Sequence, residues 1–276
     1  SRQSCSKFVR VIAITNQKVG VGKTTTCVNL AASMAATGRA VLLVDLDPQG
    51  NATMASGIDK NDVEKTAYDV LVDEVPIRDV MIESKTAGYA VVPSNSDVTA
   101  ADVQLIQVFA RELRLRKALA AIRDSFDYVF IDCPPSLSLL TVNALCAADS
   151  VIVPMQCEYF ALEGIASLTE TIRELRSAVN PDLEIEGVLR TMCDNRSKLA
   201  SLVSDELRKY FGEKVYSTII PRNIKLAEAP SHGQPVMYYD RNSPGSKAYL
   251  ALAGEILRKE AQDGIAAAAE PESSAS

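Results

Sequence analysis

Residues 15–26, Thr15-Asn16-Gln17-Lys18-Val19-Gly20-Val21-Gly22-Lys23-Thr24-Thr25-Thr26, bring together the residue types that can hold a polyphosphate. Small residues let consecutive backbone N–H groups turn into one concavity, and a helix opening at its rim adds the positive end of a dipole. Lys23 is placed to lie along β- and γ-phosphate oxygens, and the Thr24 hydroxyl to complete a Mg²⁺ shell. Two further sets of acids follow. Asp45 and Asp47 stand in Asp45-Leu46-Asp47-Pro48-Gln49-Gly50-Asn51, and Asp132 closes Tyr128-Val129-Phe130-Ile131-Asp132. A carboxylate directly after four apolar residues is suited to hold Mg²⁺ through water. Taken singly, each has a plainer explanation: a glycine-rich turn, an incidental Asp pair in a loop, a structural Asp at a strand end. Together they describe phosphoryl-transfer chemistry.

The elements that must carry these residues are legible as alternating apolar runs and helical stretches. An apolar, β-branched run at 8–14 precedes the loop, and a helical stretch at 24–37 follows it and stops at Gly38, a natural residue for a helix end. The run at 40–44 is continuously apolar, as befits a strand buried on both faces of a parallel sheet, and it delivers Asp45 and Asp47. Residues 52–96 are less regular, with short helical pieces at 66–71 and 77–81 and a strand at 89–92. Residues 100–123 read as an interrupted or bent helix, whose Arg and Lys residues are best explained as a solvated face. Strands at 128–132, 150–154, 184–192 and 214–219 then alternate with helices at 161–177 and 199–211, and a last amphipathic helix runs from 243 to about 261. Such alternation predicts an α/β fold with a doubly wound, mostly parallel central sheet flanked by helices. One domain is expected over 8–262, with disordered tails at 1–7 and at 263–276, the latter acidic and low in complexity.

The 276 residues are 47% hydrophobic, enough for a substantial core. No run of 18 apolar residues exists, so no membrane span is expected. The first residues lack a hydrophobic signal core, and the cytoplasm is the expected compartment. Six cysteines (Cys5, Cys27, Cys133, Cys146, Cys157, Cys193) show no CxxC spacing and are read as reduced thiols. His232 is the sole histidine, which excludes a His-based triad. Formal net charge is −6, yet residues 190–225 hold eight basic side chains against four acidic ones. A local basic patch on an acidic protein is a nucleic-acid footprint, with a solvated face as the alternative.

Two departures from the usual phosphate loop are informative. Gln17 stands where that motif has its first glycine, and a second lysine, Lys18, sits inside the loop. The loop thereby resembles the deviant Walker A motif, Lys-Gly-Gly-x-Gly-Lys-Thr, of the ParA/MinD group of P-loop ATPases. Val19 occupies a position that is glycine in that family. The string from Asp45 to Asn51 resembles the Asp-x-Asp-Pro-Gln-Gly-Asn switch of ParA-type ATPases. Glu158-Tyr159-Phe160-Ala161-Leu162-Glu163-Gly164 also matches, and residues 220–233, Ile-Pro-Arg-Asn through Glu-Ala-Pro-Ser-His-Gly, resemble a block of chromosomal, Soj-like ParA proteins. The likeness spans about residues 8–260, with four motifs in the family's order.

The resemblance implies a DNA-partitioning ATPase that uses ATP and Mg²⁺. Lys18, Val19, Gly20, Val21, Gly22, Lys23, Thr24 and Thr25 would cradle the nucleotide, with Pro221 and Asn223 near the adenine. Asp47 would orient the attacking water, and Thr24, Asp45 and Asp132 would serve the metal. ATP would close two subunits face to face, Lys18 reaching the partner's phosphates and Val19 and Glu158 lying at the contact. The homodimer would bind the nucleoid non-specifically through Arg196, Arg222 and Lys225, and a ParB-type centromere-binding partner would stimulate hydrolysis. The expected place is therefore cytoplasmic and nucleoid-associated.

Other classes fit less well. A MinD-like positioning ATPase needs a membrane-seeking C-terminal helix, and Gly264-Ile265-Ala266-Ala267-Ala268-Ala269-Glu270 is too weakly apolar and lacks lysine. An iron-protein reductase needs a cluster-bridging cysteine pair. A GTPase needs Asn-Lys-x-Asp, which Asn195-Arg196-Ser197-Lys198 is not. A metabolic ATP-dependent enzyme on the same fold stays open. Val19 admits two accounts: strain at a positive φ, costing about 1–3 kcal/mol, or crowding of the facing subunit. The second is favoured, and implies ATP binding with a largely monomeric protein, weak DNA binding and slow hydrolysis. A tolerated natural variant is the milder alternative.

Overall fold

A computed structural model describes residues 9–194 and 196–269. Its strands are β1 (Arg10–Ile14), β2 (Val41–Asp45), β3 (Ile82–Glu83), β4 (Ala90–Val92), β5 (Tyr128–Asp132), β6 (Ser150–Met155), β7 (Glu184–Cys193) and β8 (Val215–Pro221). They form one sheet in the order β3-β4-β2-β5-β1-β6-β7-β8. Every pairing is parallel except that of β3 with β4. The doubly wound, mostly parallel sheet is thus as the sequence implies. Its short antiparallel edge is not foreseen by the sequence, because two residues carry no periodicity.

The side-chain alternation of a strand explains the layering. Val11 and Ala13 of β1 face one core, while Ile12 and Ile14 face the other. β2 and β5 divide in the same way, with Leu42, Val44, Val129 and Ile131 on the first side and Val41, Leu43, Tyr128 and Phe130 on the second. The first face is covered by α3 (Ala67–Leu71), α4 (Thr99–Leu105), α5 (Arg114–Ala120), α6 (Leu139–Ala147), α7 (Ala161–Ala178) and α8 (Lys198–Phe211). The second is covered by α1 (Lys23–Ala36), α2 (Asn51–Ala55), α9 (Ile224–Glu228), α10 (Val236–Tyr239) and α11 (Pro244–Ala269). Helix α1 is buried from Thr26 to Met34 without interruption, which makes it an interior helix between sheet and α11.

Three differences have physical causes. Helix α6 escapes a reading of the sequence because its run Leu-Leu-Thr-Val-Asn-Ala-Leu-Cys-Ala is buried on nearly every side and shows no helical stripe. The interrupted helix at 100–123 resolves into α4 and α5, broken at Ala110, whose φ of 51° is incompatible with a continuing helix. Helix α11 continues to Ala269, so residues 263–269, expected in a disordered tail, are helical. Alanine is the strongest helix former, and the run there needs no packing to favour that state. The expected tail at 1–7 and the last residues, 270–276, lie outside the described residues.

In this order β1 sits between β5 and β6, and the chain winds away from it in both directions. A crevice opens at the carboxyl ends of strands at such a switch point. The loop after β1, Asp45 at the end of β2 and Asp132 at the end of β5 all meet there.

Candidate functional site

The loop from Thr15 to Gly22 is held from both sides. The Asn16 side chain donates to the Pro154 carbonyl at 2.9 Å and accepts from the Lys18 N–H at 3.0 Å, fixing the loop's start against β6. Gly20 and Gly22 take φ of 76° and 88°, the left-handed region that an L side chain avoids. At Gly20 a Cβ would meet nothing within 4 Å, so glycine is required there for its conformation rather than for space. Val19 behaves differently. Among the described residues the non-glycines at positive φ are Glu74, Ala110 and Met192. The strain account of Val19 therefore falls, and its side chain stands 75% exposed on the outer rim.

Lys23 is buried to 8% exposure, and its ammonium donates to the Lys18 carbonyl at 2.8 Å. Burial pushes its pKa down while Asp132 opposes the shift, leaving a poorly hydrated cation inside the loop. Thr24 Oγ1 donates to Asp132 Oδ2 at 2.7 Å. The other oxygen, Asp132 Oδ1, is buried and has no hydrogen-bond partner among the described residues. Asp45 lies directly across from Asp132 in the β2–β5 register, and both carboxyls are driven upward in pKa chiefly by burial. Two buried acids side by side call for a cation.

The chemistry of the donors fits hydrated Mg²⁺: a hydroxyl, an orphaned carboxylate oxygen and phosphate oxygens. Among the described residues no cluster of three or more His, Cys, Asp or Glu could cage a metal unaided. Asp45 is committed elsewhere: it accepts from Thr53 N at 2.9 Å, Thr53 Oγ1 at 2.7 Å and Asp47 N at 3.1 Å. Its visible work is to hold the turn that presents Asp47. Asp47 is half-buried, accepts from Gln49 N at 3.0 Å, and acts electrostatically on Lys23 and Asp132.

Beside the loop lies a cleft of about 200 Å³, walled by Gly22, Thr25, Met192, Pro221, Asn223 and Tyr249. Asn223 Oδ1 is buried there without a hydrogen-bond partner among the described residues, an acceptor suited to an exocyclic amine of a base. Pro221 and Asn223 are thus brought beside the phosphate loop, some 200 positions away in sequence. Thr191, Met192 and Tyr249 carry no signal in the sequence. Nothing marks them until the register of β7 and the packing of α11 set them against the loop.

Two groups of expected residues lie outside the cradle. The Lys18 ammonium pairs with the Glu158 carboxylate, across from the loop to the segment after β6, beside the exposed Tyr159 and Phe160. Arg196 and Arg222 both act on Asp194, which places them on one surface, and the Arg196 side chain is 92% exposed. Lys225 pairs with Glu228 and lies over the Tyr239 ring. Arg190, counted in the basic segment, is a correction: it is 2% exposed and donates to the Tyr216 carbonyl at 2.8 Å. The surface patch is therefore one charge poorer than the sequence suggests. Lys209 and Lys214 are paired with Glu206 and Glu184, which thins it further.

Comparison with known proteins adds four relationships. A family model described as an AAA domain matches residues 9–185. The sporulation initiation inhibitor protein Soj of Bacillus subtilis is 52% identical over 247 residues, covering 90% of this chain and 98% of that protein. The chromosome partitioning protein ParA of Caulobacter vibrioides is 50% identical over 254 residues, 91% of this chain and 95% of its own. Among solved structures, a cobyrinic acid a,c-diamide synthase from Mycobacterium smegmatis with bound ADP and magnesium superposes with a TM-score of 0.79. It is 36% identical, covering 91% of this chain and 94% of the other.

Proposed function

The chain belongs to the ParA/Soj family of chromosome-partitioning ATPases, and from that membership we propose that ATP, held against Lys23, closes two copies of it into a sandwich that grips DNA without regard to sequence. The observation that carries this most is the convergence of Lys23, Thr24 and the orphaned Asp132 oxygen at the crevice, with Asp47 facing them from the next loop.

In this proposal Lys23 leaves the Lys18 carbonyl and takes β- and γ-phosphate oxygens instead. The backbone of residues 20–22 supplies N–H donors, and Thr25 and Asn223 border the base. Thr24 and Asp132 would hold Mg²⁺ through oxygen and water, and the ion's contribution is to neutralise charge building on the phosphates. Asp47 orients the attacking water, while Asp45 keeps the Asp47 turn in place. Lys18 exchanges Glu158 for the partner's phosphates on closure. Its pairing with Glu158 in the single subunit is exposed and cheap to break.

The position of Val19 supports the crowding account. A side chain 75% exposed on the rim leaves the cradle intact and meets whatever faces it. This form is then an ATP-binding monomer with slow turnover, and glycine at 19 restores closure. Closure sets two Arg196–Arg222 surfaces on one duplex, and the number of phosphates neutralised together sets the affinity. Hydrolysis stimulated by a ParB-type centromere-binding protein then releases the DNA. The working place is the cytoplasm, on the nucleoid. Among the described residues no helix is long and apolar enough to cross a membrane.

The likeness to a diamide synthase favours a second reading, a metabolic enzyme that spends ATP on a small acid. Its identity is lower, 36% against 50–52% for the partition proteins. Sedimentation with random duplex DNA separates the two. The Val19→Gly chain is expected to pellet with DNA in ATP·Mg²⁺ and to stay in solution with ADP. Adding Arg196→Ala and Arg222→Ala is expected to weaken binding at least tenfold and flatten its salt dependence, with ATP affinity unchanged. Failure to pellet under every nucleotide condition sinks the partition reading.

A further inference from the structure

Thr191 lies on β7, far in sequence from the phosphate loop, and is 2% exposed. Its hydroxyl donates to the Val21 carbonyl at 2.7 Å, in the middle of the loop. Its methyl lies where a Cβ on Gly22 would come within 3.6 Å. The next residue, Met192, is held at a φ of 50° and accepts a hydrogen bond from Gln156 at 3.1 Å, so this end of β7 is fixed in an uncommon conformation. We infer that Thr191 is a positioning residue of the nucleotide site, a brace that aims the loop's backbone donors at the phosphates.

The geometry of one peptide unit supplies the reason. The Val21 carbonyl and the Gly22 N–H share a planar trans peptide and point in opposite directions. Anchoring the carbonyl outward on Thr191 turns the Gly22 N–H toward the concavity. Gly22, on one side of that peptide, sits at positive φ and can flip at low cost, so the local sequence does not hold the peptide by itself. Val21 is 1% exposed, and its carbonyl has no ready access to water as a substitute partner. The hydroxyl on β7 therefore does what the loop cannot. The same strand contributes Met192 to the base cleft, so one element sets both the phosphate and the base ends of the site.

The inference rests on the ATP-binding reading, and the test keeps the two apart. Thr191→Val preserves shape and removes the donor; Thr191→Ser keeps the donor and loses the methyl. Fluorescent-ATP affinity and the melting temperature of the nucleotide-free protein are measured for each. Thr191→Val is expected to weaken ATP binding about ten- to a hundredfold, with Thr191→Ser within about threefold of the parent. A merely structural role lowers the melting temperature of the Val form and leaves its ATP affinity alone, which overturns the inference. Equal loss in Val and Ser forms also overturns it, since the hydroxyl is then irrelevant. Should Thr191→Val not fold, the Ala-to-Ser affinity ratio isolates the same hydroxyl, and a ratio near one is contrary. A parent that binds no ATP fails the functional reading instead.

Discussion

Lys23→Ala is expected to abolish ATP binding at micromolar protein and nucleotide, a loss of two to three orders of magnitude in affinity. The ammonium is buried, poorly hydrated and already aimed into the loop, where it caps the Lys18 carbonyl. A cation so placed gives up little water to meet a phosphate, and its charge-assisted bonds to phosphate oxygens are stronger than neutral ones. Truncating one partner of such a pair costs about 3–4 kcal/mol, which at 1.4 kcal/mol per decade gives the stated loss. Removing the lysine also takes from Asp132 a cation that opposes the upward shift of its carboxyl. Calorimetry with a non-hydrolysable ATP analogue checks the affinity, and a melting curve checks the fold. An affinity within threefold of the parent would remove Lys23 from the centre of the site.

Asp47→Ala separates binding from chemistry. In the Val19→Gly background it is expected to slow hydrolysis about a hundredfold or more while ATP affinity changes by less than about fivefold. The carboxylate is half-buried at the mouth of the crevice, and among the described residues the one hydrogen bond it accepts is from the Gln49 N–H. Asp45 does the structural work for that turn, through Thr53 and the Asp47 N–H. Loss of a group that positions the nucleophile falls on the transition state, typically by two to four decades, and spares the ground state. Single-turnover hydrolysis alongside equilibrium binding distinguishes this from a collapsed site, in which both would fall together. The slowed protein is expected to stay on DNA longer, since in the proposed cycle release follows hydrolysis.

Much of the sheet and of the phosphate site is legible in the order of residues alone. Continuous apolar runs that end in an acid mark β2 and β5, because strands buried on both faces of a parallel sheet cannot alternate. Glycines before Lys23 mark the loop, because the required φ values admit little else. What stays hidden has a common cause: its meaning arises from neighbours distant in sequence. Thr191 is an unremarkable strand residue until register places its hydroxyl on Val21. Arg190 reads as surface charge, yet the Tyr216 carbonyl gives it a partner in the interior. Helix α6, buried nearly all round, has no amphipathic stripe for periodicity to find. Val19 is legible as an anomaly but not as to its cause. Its backbone conformation, which no residue pattern encodes, removes the strain account.

Nucleotide in the Lys23 cradle governs whether two copies meet, on this account, and Val19 stops them meeting. Light-scattering mass of the parent and of Val19→Gly, each with ATP·Mg²⁺, with ADP and with neither, tests that most directly. The expected result is a single-chain mass for the parent throughout and a doubled mass for Val19→Gly in ATP alone. Equal doubling of both proteins in ATP, or doubling of Val19→Gly without nucleotide, would contradict the account.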